Sequence, residues 1–563
     1  TRYPLVTGVQ TCALPILYDV AMNFIGRWNA THASYLSDLT FADASKPLSS
    51  LAGRAAGANI IERVLMQRAV NAATKGVGRE LLERMKIPAA RFPKEPKEAG
   101  VQPAHCAVRV LRSAAIKLQD QESEATAQIA MKNPEPHLEQ CEIQVQMINL
   151  IKNATDFLYI ENQFFQSDFG TPSIDVFSDE GAKTISAPMR YLMSQHGNAL
   201  VAAISTIGNP PHAKELPGNR IAQALGERIE RAVRDQWPFH IYLVLPVHPE
   251  GALNDITVIA QIHWTMQSLV FGDHSLVNRI RRAIAAGKIC KNPCSNAAWK
   301  TAMEEAGKSI NGHAPYENIG EDEWGQYLTL LNLRACEVIG GKVRTEQIYV
   351  HSKLLIADDR HAIIGSANIN DRSQTGKRDS ELAVLIMDDV ERDKAILREK
   401  EVEIHKKVRK LRMDLWQKHF ALGGAHGLVQ PADEMGSFIE KPAAKETIQK
   451  IKKLSADNSD FYRAAFAFVP WSEGDDPNSQ RGASLWPVCP RGIDGKQAEL
   501  LSKKMPFHDD FWLSGGPIAK TPSGLKGHFV KLPLNWTLGE NNHPTKMSVM
   551  AVSMAEPPSG SPL

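Results

Sequence analysis

Residues 348–373, IYVHSKLLIADDRHAIIGSANINDRS, constrain the fold of this chain more than any other stretch. Two apolar, β-branched runs flank a polar turn at Asp359 and Arg360 and end in a small-residue loop, a pattern that predicts a strand, a turn and a return strand. Side chains alternate across a strand, so His351 and Lys353 are expected on one face and Val350 and Leu354 on the other. An imidazole beside an ammonium suits chemistry at a phosphate. The lysine offers fixed charge to phosphoryl oxygens, and the histidine can attack or move protons near neutral pH. Gly365, Ser366 and Asn368, just past the return strand, bring backbone and side-chain donors to the same oxygens.

The rest of the chain supplies the setting. Its 563 residues exceed what one hydrophobic core serves, so two or more domains are expected. Lys plus Arg number 65 against 63 for Asp plus Glu, which gives no electrostatic case for a dedicated nucleic-acid binder. The close pair Cys290 and Cys294 has no second pair to complete a zinc site, so reduced thiols or a single loop disulfide are expected. No apolar run approaches the roughly 20 residues that cross a bilayer as a helix, and a soluble chain is expected. The first residues, TRYPLVTGVQTCALPI, lack the basic start and apolar core of a secretory signal. Residues 1–16 read as a translated sequencing artefact.

Helices are expected at 17–28, where Val20, Phe24 and Trp28 share a face, and at 137–156, 219–236 and 261–285. Strands are expected at 157–165 and from His240 to Pro246. SELAVLIMDD, residues 380–389, supplies another, and 391–421 reads as an amphipathic helix striped by Val408, Leu411 and Leu415. Helix and strand alternate, which predicts an α/β fold with a mixed or parallel sheet covered by helices. Beyond 458 the sequence turns to Pro, Gly and Trp, with Trp471, Trp486, Trp512 and Trp536 among turn residues, as in a small β-rich extension.

The motif resembles the signature of the phospholipase D superfamily, H-x-K-x4-D followed by G-S-x-N. His351, Lys353, Asp358, Gly365, Ser366 and Asn368 match it without a gap. YIENQFF at 159–165 and VLPVHPEG at 244–251 resemble the lipid-cleaving members, and the segment with Asn162 and Gln163 is expected to bind substrate together with Gly365 and Ser366. DVAMNFIGRW, VLRS, TMQSLVFGDHSL and LRMDLW follow in family order, so the resemblance spans residues 17–420.

The resemblance implies a bilobal phospholipase D fold in which two such motifs meet at one cleft, with no metal or cofactor required. The histidine of the first half attacks phosphorus. His351 then protonates the departing headgroup alcohol and activates the water that releases phosphatidic acid. Lys353 and Asn368 stabilise the transferred phosphoryl group, Glu381 orients the motif histidine, and Asp358 braces the turn. The implied partner is a phospholipid membrane surface, not nucleic acid. Some bacterial members resembling the eukaryotic lipases are type VI secretion effectors, for which an immunity protein would be a further partner.

This chain has one such motif: neither His212 nor His405 has Asp in the required place. The expected organisation is a remnant of the first lobe and a linker at 17–100, then a second lobe with the motif at 101–395. A helical segment at 396–457 and the extension at 458–563 follow. On this reading the N-terminal half with the first motif is missing and the chain alone hydrolyses no phospholipid. The competing readings are a superfamily nuclease and an inactive lipid-binding fragment.

Overall fold

The computed structural model describes residues 108–119, 139–170, 217–250, 261–262, 264–290, 294–310, 313–387, 392–466, 469–472, 524–534 and 536. The helix expected at 17–28, residues 1–16, expected to be an artefact, and Trp486 and Trp512 lie outside them. Of two compact units, the smaller, residues 1–105 and 114–140, falls almost wholly outside the described residues. The larger comprises 106–113 and 141–563.

The strands are β1 Val108–Ala114, β2 Gln140–Cys141, β3 Phe157–Glu161, β4 His240–Val244, β5 Leu328–Ile339 and β6 Lys342–Gln347. They continue with β7 Leu354–Ala357, β8 His361–Gly365, β9 Glu381–Ile386, β10 Arg392–Ile396, β11 Glu401–His405 and β12 Phe529–Lys531. The helices are α1 Glu142–Asn153, α2 Ile221–Arg234, α3 Leu276–Ile289, α4 Asn296–Gly307, α5 Glu321–Trp324, α6 Asp371–Gln374, α7 Lys406–His419 and α8 Lys445–Ala465. A ten-stranded mixed sheet runs β12-β5-β4-β3-β7-β8-β9-β1-β2, with β6 paired to β5 off this path. β3, β4 and β5 are parallel, and β7, β8, β9 and β1 continue from β3 antiparallel.

β3 and β4, FLYIE and HIYLV, are buried at every residue, as strands covered on both faces must be. Leu158 and Ile160 face a core built with Ile143, Met147 and Ile151 of α1 and Leu225 and Ile229 of α2. Phe157 and Tyr159, of opposite parity, face a second core containing Val408 and Trp416 of α7 and Ile451 of α8. Helices therefore cover both faces, as the alternating pattern predicts.

Three stretches depart from expectation. The stretch 261–285 is not one helix: it turns π-helical at Gln267–Phe271, breaks at Gly272, and restarts at α3 behind the Ser275 cap, whose Oγ accepts Asn278 N at 3.3 Å. A Cβ on Gly272 would lie 2.5 Å from the Phe169 carbonyl oxygen, so this close approach demands glycine. Residues 392–405 are a β10–β11 hairpin and not the start of a helix. Val402 and Ile404 alternate with Glu401 and Glu403 at the period of a strand, and Arg392–Glu403 and Lys394–Glu401 ion pairs cross the hairpin. Farther on, α8 runs through the boundary expected at 458, and β12 pairs antiparallel with β5 as an edge of the main sheet. Cys290 and Cys294 form a disulfide with Cα atoms 6.0 Å apart. Among the described residues no helix is long and apolar enough to cross a membrane.

The polar turn between β7 and β8 carries Asp358 and Asp359 at φ of 54° and 53°, the left-handed pair that tight hairpin turns use. Asp359 is fully buried and receives Arg412 of α7 through two hydrogen bonds, Nε to Oδ1 at 2.8 Å and Nη2 to Oδ2 at 2.7 Å. Arg412 Nη1 also donates to the Ile439 carbonyl. Removing one partner of such a pair strands a buried charge. Arg412→Met should lower the unfolding free energy by about 3–5 kcal/mol, read as an earlier urea midpoint at unchanged slope.

Candidate functional site

The candidate site stands where β3 and β4 end and β7 begins. Glu161 pairs with Val244 on one side and Leu354 on the other, so His351, three residues before Leu354, lies just beyond the C-terminal edge of the parallel strands. The ladder of β7 starts only at Leu354, and residues 348–353, expected as strand, belong to no ladder. Alternation survives in the packing. Val350 and Leu354 are buried in the core shared with α7, while His351 is exposed and Lys353 half-buried.

Side chains and single backbone bonds hold this segment in place of a ladder. Ile348 N donates to Leu333 O at 2.8 Å and Gly365 N to Lys353 O at 3.1 Å. Ser352 Oγ, between the two motif residues, donates to Glu161 Oε2 at 2.5 Å. Lys353 Nζ donates to Gln163 Oε1 at 2.9 Å and to the His351 carbonyl at 2.6 Å. Gln163 Nε2 reaches the Tyr349 hydroxyl at 2.9 Å, and the Tyr349 ring stacks on His351 with centroids 6.2 Å apart. Burial lowers the Lys353 pKa from its ordinary value, with the Glu381 charge opposing.

The small-residue loop is equally pinned. A Cβ on Gly365 would overlap the Leu382 carbonyl and Ala383, so only glycine fits beside β9. Asn162 is buried; its Oδ1 accepts Ile369 N at 3.1 Å and Phe164 N at 3.2 Å, and its Nδ2 donates to Ala367 O at 3.4 Å. It thus braces the loop from within. Asn368 holds the loop through its carbonyl, which accepts Gln374 Nε2 at 2.8 Å, while its side-chain Oδ1 is buried without a hydrogen-bond partner.

Two motif carboxylates are placed by these contacts. Glu381, expected to orient the motif histidine, instead accepts the Ser366 hydroxyl and, at 2.6 Å, the Ser373 hydroxyl. No hydrogen bond joins it to His351 among the described residues. Its position at the start of β9, beside Gly365–Ser366, puts the two serines nearest. Burial raises its pKa from its ordinary value, with both hydroxyls opposing. Asp358 lies at the other end of β7, where its carboxylate accepts Thr155 N at 2.7 Å, Asp156 N at 2.8 Å and Phe157 N at 2.9 Å. Burial raises its pKa too, against those three N–H bonds.

The structure adds residues that sequence reasoning missed. Glu161 is buried and receives the Tyr159 hydroxyl at 2.5 Å, Ser352 and, at 2.8 Å, His419 Nε2 from α7. A carboxylate inside an otherwise apolar buried strand was the available signal, because such a charge requires partners. Burial alone would raise the Glu161 pKa, but the hydrogen bonds and the His419 charge bring it below its usual value.

A carboxylate with a lowered folded pKa contributes stability above its unfolded value, near pH 4.3, which is lost as pH falls through the lower folded value. Glu161→Gln should therefore cost on the order of 2 kcal/mol at neutral pH, the scale of hydrogen bonds to a charged group. In urea titrations that deficit should shrink progressively below about pH 4.

Comparison with known proteins bears on the family of the chain. A sequence profile described as Phospholipase D matches residues 49–472. A phospholipase D of Phytophthora infestans is 32% identical over 334 residues, 58% of this chain and 14% of that protein. Phospholipase D zeta 1 of Arabidopsis thaliana is 27% identical over 411 residues, 70% of this chain and 29% of the relative. The chain thus spans less than a third of the length of either. A solved phospholipase D family member, Nuc from Salmonella typhimurium, aligns over 55% of this chain and 91% of its own at 10% identity, with a TM-score of 0.19 too low to carry weight. With a profile matching most of its length and the motif held at one strand edge, the chain belongs to the phospholipase D family.

Proposed function

We propose that this chain carries the acid-base half of a phospholipase D that hydrolyses the terminal phosphodiester of glycerophospholipids. The observation that carries the reading is the pairing at the sheet edge: an exposed imidazole at His351 beside a Lys353 ammonium already aimed by Gln163, against the pinned loop 365–370. The near balance of charge and the YIENQFF segment favour a phospholipid over nucleic acid.

A histidine of a second motif, which this sequence does not contain, attacks phosphorus as the bond to the headgroup oxygen breaks. His351 gives its proton to that oxygen. It then takes a proton from the water that attacks the phosphohistidine, releasing phosphatidic acid and restoring both imidazoles. Lys353 and the Asn368 amide stabilise charge on the phosphoryl oxygens. Glu381 keeps Ser366 and its loop in place, Asp358 fixes the strand pair, and Asn162 and Gln163 act by holding the loop and the lysine.

Tungstate, a tetrahedral oxyanion that mimics phosphate, tests the site without turnover. Calorimetry should find one bound per chain, weakened at least about tenfold, or 1.4 kcal/mol, by Lys353→Met. Unchanged binding in that variant would sink the phosphate-site reading. Headgroup release from phosphatidylcholine or phosphatidylethanolamine vesicles should be absent for this chain alone. Release that vanishes on His351→Ala would overturn the assignment of half a site.

A further inference from the structure

Residues of one parity in the segment leading to β7 turn toward the candidate site. Val350 and Leu354 are buried in the core shared with α7 and Ser352 donates to Glu161, so Tyr349, His351 and Lys353 fall on the other side. The amide of Gln163 bridges the first and last of these three.

The direction of each hydrogen bond in the bridge follows from its lysine end. An ammonium donates and cannot accept, so the amide atom facing Lys353 Nζ is Oε1, at 2.9 Å. Nε2 is thereby turned to the Tyr349 hydroxyl, also at 2.9 Å. An amide nitrogen only donates, so the hydroxyl oxygen accepts and its own hydrogen remains to be given. Among the described residues nothing accepts that hydrogen. Lys353 is similarly placed, since two of its three N–H bonds go to Gln163 Oε1 and the His351 carbonyl and one is left over.

The Tyr349 ring meets His351 by its face, 26° from the imidazole plane with centroids 6.2 Å apart. Such a contact covers neither imidazole nitrogen, and neither has a hydrogen-bond partner among the described residues. One side of a five-residue segment thus presents an ammonium hydrogen, a phenolic hydrogen and an imidazole edge. Charge reinforces the phenol as a donor. Lys353 polarises the Gln163 amide, the amide N–H polarises the hydroxyl, and hydrogen bonds that run in one direction strengthen one another.

We propose that Tyr349 is a further substrate-binding residue, whose hydroxyl donates to a non-bridging oxygen of the phosphoryl group that Lys353 binds. Gln163 then has two duties, aiming the ammonium and turning the phenolic hydrogen outward. The proposal deepens the phosphate-site reading of His351 and Lys353 and rests on it.

Calorimetry of the full chain with tungstate tests it. Tyr349→Phe keeps the ring and its contact with His351 and removes only the hydroxyl. It should weaken binding at least about tenfold, the scale of one hydrogen bond to a charged group, with the urea midpoint of the parent. In a Gln163→Met background, where the bridge is already lost, Tyr349→Phe should weaken binding again. Parent-like affinity in Tyr349→Phe, beside a Lys353→Met variant that loses binding, would overturn the donor role and leave the phosphate site standing. No further loss in the Gln163→Met background would overturn it too, by reducing Tyr349 to a support for the amide, as would a loss matched by an earlier urea midpoint. A parent that binds no tungstate, or unchanged binding in both Lys353→Met and Tyr349→Phe, would sink the phosphate-site reading and the donor with it.

Discussion

The pairing of β3 with β7 is the constraint on which the candidate site depends, and a carboxylate secures it at each end. At the turn end, Asp358 of the β7 side takes the backbone N–H groups of Thr155, Asp156 and Phe157 as the chain enters β3. At the site end, Glu161 closes β3 and holds Ser352 just before β7. Each strand grips the start of the other, so the stretch 348–353 can leave its ladder and still keep one geometry. A backbone outside a ladder has unpaired polar groups and conformational freedom to lose, and side-chain hydrogen bonds are what replaces the ladder there.

Helix α7 ties both ends together. Arg412 and His419 are seven residues apart, two helical turns or about 10 Å, and so share one face. Arg412 meets Asp359 at the turn, His419 meets Glu161 at the site, and Trp416 packs between them edge-on to Tyr159 and Tyr242. The buried face of α7 is therefore Val408, Arg412, Trp416 and His419, two of them ionisable. An apolar stripe through Val408, Leu411 and Leu415 finds only part of it, because Leu411 and Leu415 are half-buried and the charged residues take the centre. Their burial is tolerable only because acids stand opposite at the matching spacing.

Legibility followed how local each signal was. Strands β3, β4, β7, β8 and β9 were readable from apolar runs and turn residues, and the mixed sheet from their alternation with helices. The hairpin at 392–405 was obscured by charge, since Arg392 and Lys394 find their partners, Glu403 and Glu401, across the ladder. The break at Gly272 was illegible because the reason for glycine is the Phe169 carbonyl, about a hundred residues earlier. Nor could a three-residue strand at 529–531 be assigned to the main sheet from its own sequence, since its pairing with β5 spans nearly two hundred residues.

The sequence by itself determined the family and marked His351, Lys353, Gly365, Ser366 and Asn368 as one motif, because motif spacing acts within a few residues; that His351 and Lys353 stand outside the ladder, and not within a strand, is a matter of the tertiary structure. Tertiary structure alone decided what supports them. It assigned Asn162 to the loop, Gln163 to the lysine and Glu381 to two serines, and it brought Ser352 and His419, which no local pattern marks, to Glu161. The physical reason is that a buried polar group is satisfied by whatever the fold carries to it, and those partners are residues that the chain itself keeps far apart.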